Sequence, residues 1–178
     1  LEALIAHELE THVVTAENGA HQPYGLFRRG FANYLDTQEG LAIFNQNRFL
    51  TPFSDKRFGP ARNILGLAFA LEHSFAETRA YLHHELGYEE SKALSKAVDF
   101  KRGLSDTSTP GAFTKAVVYF RGLRAIQEYA ARGGDLARLY IGKIALEDLD
   151  VLEKIPGMKP PMIVPEFLRT EVAVKKKK

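Results

Sequence analysis

Apolar residues recur at helical spacing along most of the chain. In residues 113–132, for example, Tyr119, Leu123 and Ile126 form one stripe of a helix. Alternation typical of a strand is short everywhere, and only residues 162–164 could form one. The pattern predicts a mainly α fold, with helices over residues 1–14, 36–45, 60–86, 89–101, 113–132, 136–140 and 146–154.

Turn-forming and capping residues set the predicted ends of these helices. Asn18-Gly19 is a turn dipeptide, which predicts that the first helix ends before it. Asp36 or Thr37 can cap the first turn of the second helix. Pro60 suits the first turn of the third helix, because its missing N–H costs no hydrogen bond there.

The composition is that of a folded protein and excludes several kinds of site. The chain has 178 residues, of which 45% are hydrophobic, and it contains no Cys. Disulfide frameworks, thiolate metal sites and cysteine nucleophiles are therefore excluded. The net charge of +2 depends on the lysine run at 175–178, without which 20 basic residues face 22 acidic ones. A nucleic-acid partner is not expected.

The chain is predicted to have one ordered domain and a tail. Residues 1–155 form the helical domain, and residues 156–178 form a proline-rich segment and a basic tail. The helical pattern is already under way at Leu1, so we expect the C-terminal part of a longer protein. The longest apolar stretch, residues 64–71, is far shorter than the roughly 20 residues that a membrane span needs. We therefore expect no membrane partner and a cytoplasmic location.

Residues 7–12 read His-Glu-Leu-Glu-Thr-His inside the first predicted helix. Zinc peptidases commonly carry two histidines four positions apart, so that both lie on one helix face, with a glutamate as base. Here the spacing is five, which places the side chains about 140° apart on a regular α-helix. His7 and His12 can share an ion only if the helix has a one-residue bulge, a feature often found at functional sites.

A third ligand is needed, because a catalytic zinc site has three protein ligands and one open position. Glu39 is the best candidate, and Gly40 beside it could let the two helices approach closely. Glu8, about 100° around the helix from His7, can act as general base without binding the metal. The plainer interpretation is that the two histidines are polar residues on the surface of an amphipathic helix.

Taken together, the motifs resemble one known family. They are His-Glu-x-x-Thr-His at 7–12, Glu-Asn-Gly at 17–19, Gln-Pro at 22–23 and Thr-Gln-Glu-Gly-Leu-Ala at 37–42. The family contains bacterial proteins described as flavohemoglobin expression-modulating QEGLA motif proteins. The vertebrate microtubule-associated tyrosine carboxypeptidases, which remove the C-terminal tyrosine of α-tubulin, belong to it as well. Phe-Thr-Lys at 113–115, Tyr-x-Arg-Gly at 119–122 and Gly-Lys-Ile-Ala at 142–145 are also similar, whereas Ala116 stands where an acidic residue is expected.

The resemblance implies a zincin-like zinc metallopeptidase with one Zn²⁺ per chain. His7, His12 and Glu39 would bind the metal, and Glu8 would be the catalytic base. Zincin sites usually include a sheet that aligns the substrate, and we expect any such sheet upstream of Leu1.

A carboxypeptidase also needs a cation that holds the terminal carboxylate of its substrate. Lys115 and Arg121 are the candidates, because they lie in a segment that resembles the family. Tyr119 between them could donate a hydrogen bond to the oxyanion.

The predicted function is zinc-dependent peptide-bond hydrolysis of a carboxypeptidase type, by a metal-activated water, on a peptide or protein C-terminus. The alternative is a non-enzymatic regulatory or interaction protein with a structural metal, closed by a fourth ligand such as His21. A helical interaction domain without metal is a third possibility. His73 and His83 are interpreted as ordinary helix residues.

Overall fold

The computed structural model describes residues 1–168, which form helices and connecting segments without any strand. The predicted mainly α fold is confirmed. The α-helices are α1 (Glu2–His7), α2 (Val14–Ala20), α3 (Leu26–Arg29), α4 (Tyr34–Gln46), α5 (Asp55–Glu72), α6 (Phe75–His84), α7 (Glu90–Lys101), α8 (Val117–Ala131) and α9 (Leu149–Leu152). A π-helical turn, Glu8–Val13, joins α1 to α2. Short 3₁₀ helices cover Asn47–Phe49, Thr114–Ala116, Leu136–Ile141 and Leu146–Asp148.

The chain divides into two compact units. Of the described residues, the first unit contains 1–51 and 121–168, and the second contains 52–120. Within the described part, no helix is both long and apolar enough to cross a membrane. The lysine run at 175–178 lies outside the described residues.

The first unit is built around a core of aromatic and aliphatic side chains. Tyr140 and Phe27 are fully buried there, and Leu168 packs against the same core. Full burial of an aliphatic or aromatic side chain of this size is worth about 1.5–3 kcal/mol. The core fixes α4 and the 3₁₀ helix Leu136–Ile141 beside the N-terminal helices. The other buried members include Leu41, Ile126, Leu139, Ile141, Ile144 and Leu149.

The second unit has a smaller core and a buried lysine. Leu67, Leu82 and Phe100 pack together there, with small alanines between the helices. Lys101 is only 1% exposed, and its ammonium group donates to four backbone carbonyls. Those oxygens belong to Ala70 at 2.8 Å, Gly111 at 2.7 Å, Thr109 at 3.2 Å, and His73. The lysine thereby satisfies carbonyls that the end of α5 leaves without helical partners.

The predicted end of the first helix is wrong. The helix runs on through Asn18 and Gly19 to Ala20. Asn18 is buried because its amide bonds to the backbone of Ile163, at 2.7 and 2.9 Å. Gly19 is required for packing, since a Cβ there would lie 2.3 Å from the carbonyl oxygen of Phe27. Residues 162–164 form no strand; the backbone of Ile163 pairs with the side-chain amide of Asn18 instead.

The predicted caps of the second helix are also wrong. α4 begins at Tyr34, after Asn33 in a left-handed conformation (φ 60°). Asp36 forms an ion pair with Arg121, and the hydroxyl of Thr37 accepts a hydrogen bond from the N–H of Leu146 at 2.7 Å.

The helix predicted for residues 60–86 is two helices. α5 begins at Asp55, so Pro60 lies inside it, and α6 starts after Ser74. Ser74 and Glu77 form a capping box, in which each side chain bonds the other residue's backbone N–H. This Ser-x-x-Glu pattern is a sequence signal for a helix start.

Candidate metal centre

The helix between His7 and His12 contains the bulge that their spacing requires. The N–H of Val14 donates to the carbonyl of Leu9, five residues earlier, as in a π-helix. With this wider turn, the two imidazole rings come together, with their centroids 5.1 Å apart and their planes at 75°. The interpretation of two unrelated surface histidines is therefore disfavoured.

The carboxylate of Glu39 meets both imidazoles. Its Oε2 lies 3.9 Å from Nε2 of His7 and 3.7 Å from Nε2 of His12. The donor atoms of all three residues lie within 4.8 Å of one another, and this is the single group of His, Asp and Glu donors with that spacing in residues 1–168. Their side chains are 15 to 24% exposed, so the cluster is half-buried with an opening to solvent.

The donor set fits zinc. Two ligand atoms that are each about 2.1 Å from one ion can be at most about 4.2 Å apart. The two distances from Oε2 of Glu39 to the histidine nitrogens satisfy this limit. Two neutral imidazoles and one carboxylate are also the ligands of a common type of catalytic zinc site. The His7 nitrogen that faces Glu39 is Nε2, and its Nδ1 atom is buried without a hydrogen-bond partner in the described part of the chain.

Burial and neighbouring charges favour the neutral form of His12. Desolvation lowers the pKa of His12 most, His7 and Lys143 lower it further, and Glu8 raises it. A histidine must be deprotonated at the donor nitrogen before it binds a metal. The surroundings of His12 therefore favour the form that can act as a ligand.

Glu8 occupies a different position from the three donors. Its Oε1 lies 4.0 Å from Nε2 of His7, and 56% of its side chain is exposed. The carboxylate therefore stays beside the cluster, where it can exchange protons with solvent or a substrate.

A stripe of buried polar residues supports this helix, and the sequence reasoning missed it. Thr11, Thr15, Asn18 and Gln22 are at most 9% exposed, and their offsets of four, three and four residues place them on one helix face. The signal in the sequence was a set of polar residues at the spacing that apolar residues have on a buried helix face. Their partners are Asn45, Gln38, and the backbones of Ile163 and Lys159.

Gly40 has a different role from the predicted one. It does not face the helix that carries the histidines; it packs against Gly122 of α8, where a Cβ on Gly40 would lie 2.2 Å from the carbonyl carbon. The close approach positions α4, and Glu39 with it, against α8.

The three predicted substrate-binding residues lie outside the group of metal donors. Lys115 is exposed and Tyr119 is half-buried, and both belong to the second unit. Arg121 belongs to the first unit, is 65% exposed, and pairs with Asp36. It would have to exchange this partner to bind a substrate carboxylate. Their roles stay predictions.

The other histidines have ordinary partners. His21 lies 3.3 Å from Glu17 and is outside the group of donors. His73 bonds the carbonyl of Phe69 at 2.9 Å, and His83 bonds that of Tyr88 at 2.7 Å. His83 lies in the last turn of α6, as interpreted. His73 follows the end of α5 with an extended backbone (φ −130°, ψ 162°), so its interpretation as a helix-face residue is wrong, although the expected hydrogen-bond partner is present.

Comparisons with known proteins agree with the motifs. A sequence model of the family described as "Microtubule-associated tyrosine carboxypeptidase" matches residues 1–176. The human microtubule-associated tyrosine carboxypeptidase 1 is 28% identical over 178 residues, which cover 95% of this chain and 36% of that protein. The mouse protein of the same name is 27% identical over 175 residues, with the same coverage. The chain spans about a third of the length of these relatives. It belongs to the family of the microtubule-associated tyrosine carboxypeptidases.

Proposed function

We propose that this chain carries the zinc centre of a metallocarboxypeptidase, which removes a residue from the C-terminus of a peptide or protein. The observation that carries the proposal is the meeting of His7, His12 and Glu39 across a π-helical turn. The relatives are named tyrosine carboxypeptidases, which supports a substrate that ends in an aromatic residue.

Each residue of the centre has a chemical role in this proposal. His7, His12 and Glu39 hold the metal, with a combined charge that leaves the site cationic. A zinc ion held there would supply Lewis acidity towards the scissile carbonyl and towards the attacking water. Glu8 takes the proton of that water and passes it to the leaving amine, as a general base and then a general acid. Its exposure supports this exchange.

The number of donors favours an enzyme over a structural metal site. Structural zinc sites are closed by four protein ligands, whereas catalytic sites keep one position open. Three donors meet within the described residues, and His21, the fourth ligand considered above, pairs with Glu17 instead. The regulatory alternative would require a further ligand.

Metal content tests the ligand set. Protein expressed with ample zinc and then dialysed should hold about one zinc per chain by elemental analysis. His12→Ala and Glu39→Ala should lose it, because two protein donors hold zinc too weakly to survive dialysis. His83→Ala, which removes a histidine outside the cluster, is the matched control. A wild-type protein without zinc, or equal loss in the control, would refute the site.

Hydrolysis tests the role of Glu8 and the exopeptidase assignment. A peptide that ends in a free tyrosine should be cleaved, and the same peptide with a C-terminal amide should not. Glu8→Gln should retain zinc and lose activity by about 10²- to 10⁴-fold, the usual contribution of a general base. Equal cleavage of the amidated peptide would indicate an endopeptidase, and an active Glu8→Gln variant would exclude Glu8 as the base.

A further inference from the structure

Three fully buried side chains form a network at the π-helical turn. They are Thr11 in the turn, Asn45 on α4, and Tyr140 on the 3₁₀ helix Leu136–Ile141, and each is 0% exposed. The amide nitrogen of Asn45 donates to the hydroxyl of Thr11 at 2.9 Å and to the phenol oxygen of Tyr140 at 2.8 Å. The network thus ties the turn to two other elements of the first unit.

The hydroxyl of Thr11 makes a bond that fits the wide turn. It donates to the carbonyl of Ala6, five residues earlier, at 2.7 Å. In a regular α-helix, a threonine hydroxyl bonds the carbonyl three or four residues earlier. The bond to Ala6 therefore favours the π-helical turn over the α-helical alternative.

The choice between these two turns decides where His12 points. With α-helical geometry throughout, His12 would lie about 140° around the axis from His7. With the π-helical turn, both rings face Glu39. Thr11 directly precedes His12, and its partner Asn45 lies on α4, the helix that also carries Glu39. The network therefore couples the direction of one donor to the helix of another.

Tyr140 keeps this network constant in charge. Burial raises the pKa of Tyr140 well above its ordinary value, and hydrogen bonding with Thr11 and Asn45 lowers it less. With its pKa raised above the ordinary value of about 10, the phenol stays protonated near neutral pH.

We propose that Thr11, Asn45 and Tyr140 are positioning residues of the metal centre: their hydrogen bonds hold residues 8–13 in the π-helical turn and so direct His12 at the ion. This inference rests on the proposed zinc centre. It predicts that loss of the Thr11 hydroxyl weakens metal binding without removing a ligand.

Cobalt titration with a matched set of variants tests the proposal. Co²⁺ is followed by its visible absorption, whose intensity reports the coordination geometry. Thr11→Val should lower the Co²⁺ affinity about 10- to 100-fold, the range seen when groups that orient ligands are removed, and should change the spectrum. Thr11→Ser, which keeps the hydroxyl, should bind within a few-fold of wild type.

The control is Thr78→Val in the second unit. The Thr78 hydroxyl is buried and bonds the carbonyl of Ser74 at 2.7 Å, so the same substitution removes a similar bond away from the cluster. This variant should bind Co²⁺ as wild type does. If Thr11→Val does not fold, Tyr140→Phe removes one hydroxyl at the far end of the network and should also lower the affinity.

The outcomes separate the two proposals. If wild type binds Co²⁺ and Thr11→Val or Tyr140→Phe binds it with the same affinity and spectrum, the positioning role is wrong while the zinc centre stands. Equal weakening in Thr78→Val would show a general effect of stability and would also overturn it. If wild type does not bind Co²⁺, the zinc centre itself is refuted.

Discussion

Substitution of Gly40 by alanine should damage the metal centre through the backbone. Gly40 follows Glu39 on α4, and an added Cβ would lie 2.2 Å from the carbonyl carbon of Gly122 on α8. Real Cβ atoms essentially never come closer than 3.0 Å to such an atom. The two helices would have to separate by about 0.8 Å. Because the obstacle is backbone, no change of side-chain rotamer relieves the contact.

A shift of this size exceeds what the centre tolerates. Ligand distances in metal sites hold to within about 0.2 Å, and the displaced segment carries Glu39. We expect the zinc affinity of Gly40→Ala to fall about 10-fold or more, as happens when a residue that orients a metal ligand is removed. Overpacking typically costs about 1–3 kcal/mol, which outweighs the gain of about 1 kcal/mol from replacing a helical glycine.

Gly59→Ala provides the matched control. Gly59 lies inside α5, and nothing is within 4 Å of a Cβ placed on it. This variant should bind zinc normally, and its unfolding free energy should change by less than about 1 kcal/mol, because the helix propensity gained is offset by crowding between the new Cβ and the ring of Pro60. Urea unfolding and zinc titration against a chelator measure both quantities. A Gly40→Ala protein that matches wild type in both assays would show that the helices do not depend on this contact.

Three further substitutions test the fold by urea unfolding. Lys101→Met should lower the unfolding free energy by about 3 kcal/mol or more, because it leaves four backbone carbonyls, one buried and three partly buried, without their cation; a loss below about 1 kcal/mol would contradict this. Asn18→Leu should lower the unfolding free energy by about 2–3 kcal/mol, since it leaves the N–H and C=O of Ile163 without their hydrogen-bond partner. An unchanged unfolding free energy would show that water replaces the amide. Glu77→Gln should reduce the loss of stability at acid pH. Hydrogen bonds from Ser74 lower the pKa of Glu77 below its ordinary value of 4.5, so its contribution is present above that pH and is lost as pH falls through the lower value. An unchanged acid profile would argue against the capping box.

The composition of the site could be predicted because its chemistry is local in sequence. His7, Glu8 and His12 lie within one helical turn and a half, and the five-residue spacing itself required a bulge. Glu39 is predictable as the third donor because it lies on the next predicted helix. The structure brings the three donors together as this reasoning required.

The supports of the site could not be predicted because they depend on distant contacts. In the sequence Thr11 cannot be distinguished from an ordinary helical residue, because its network partners Asn45 and Tyr140 are distant along the chain. Gly40 suggests a close approach, but the pattern does not reveal that Gly122 is the partner. Tertiary packing, and not local propensity, decided these positions.

The helix boundaries show the same limit and one avoidable error. Asn18-Gly19 has the composition of a turn, yet tertiary hydrogen bonds and close packing keep it helical. In contrast, the break before α6 was readable, because Ser74 and Glu77 have the capping-box spacing. The apolar run of α5 obscured that signal.

Diffraction at the zinc absorption edge, from crystals of the zinc-loaded protein, would test most directly whether His7, His12 and Glu39 bind one catalytic ion. We predict a single anomalous peak about 2.1 Å from Nε2 of each histidine and from the carboxylate of Glu39. Glu8 should lie outside the coordination sphere, and no fourth side chain should bind the ion. A peak elsewhere, or an ion enclosed by four protein ligands, would contradict the catalytic centre.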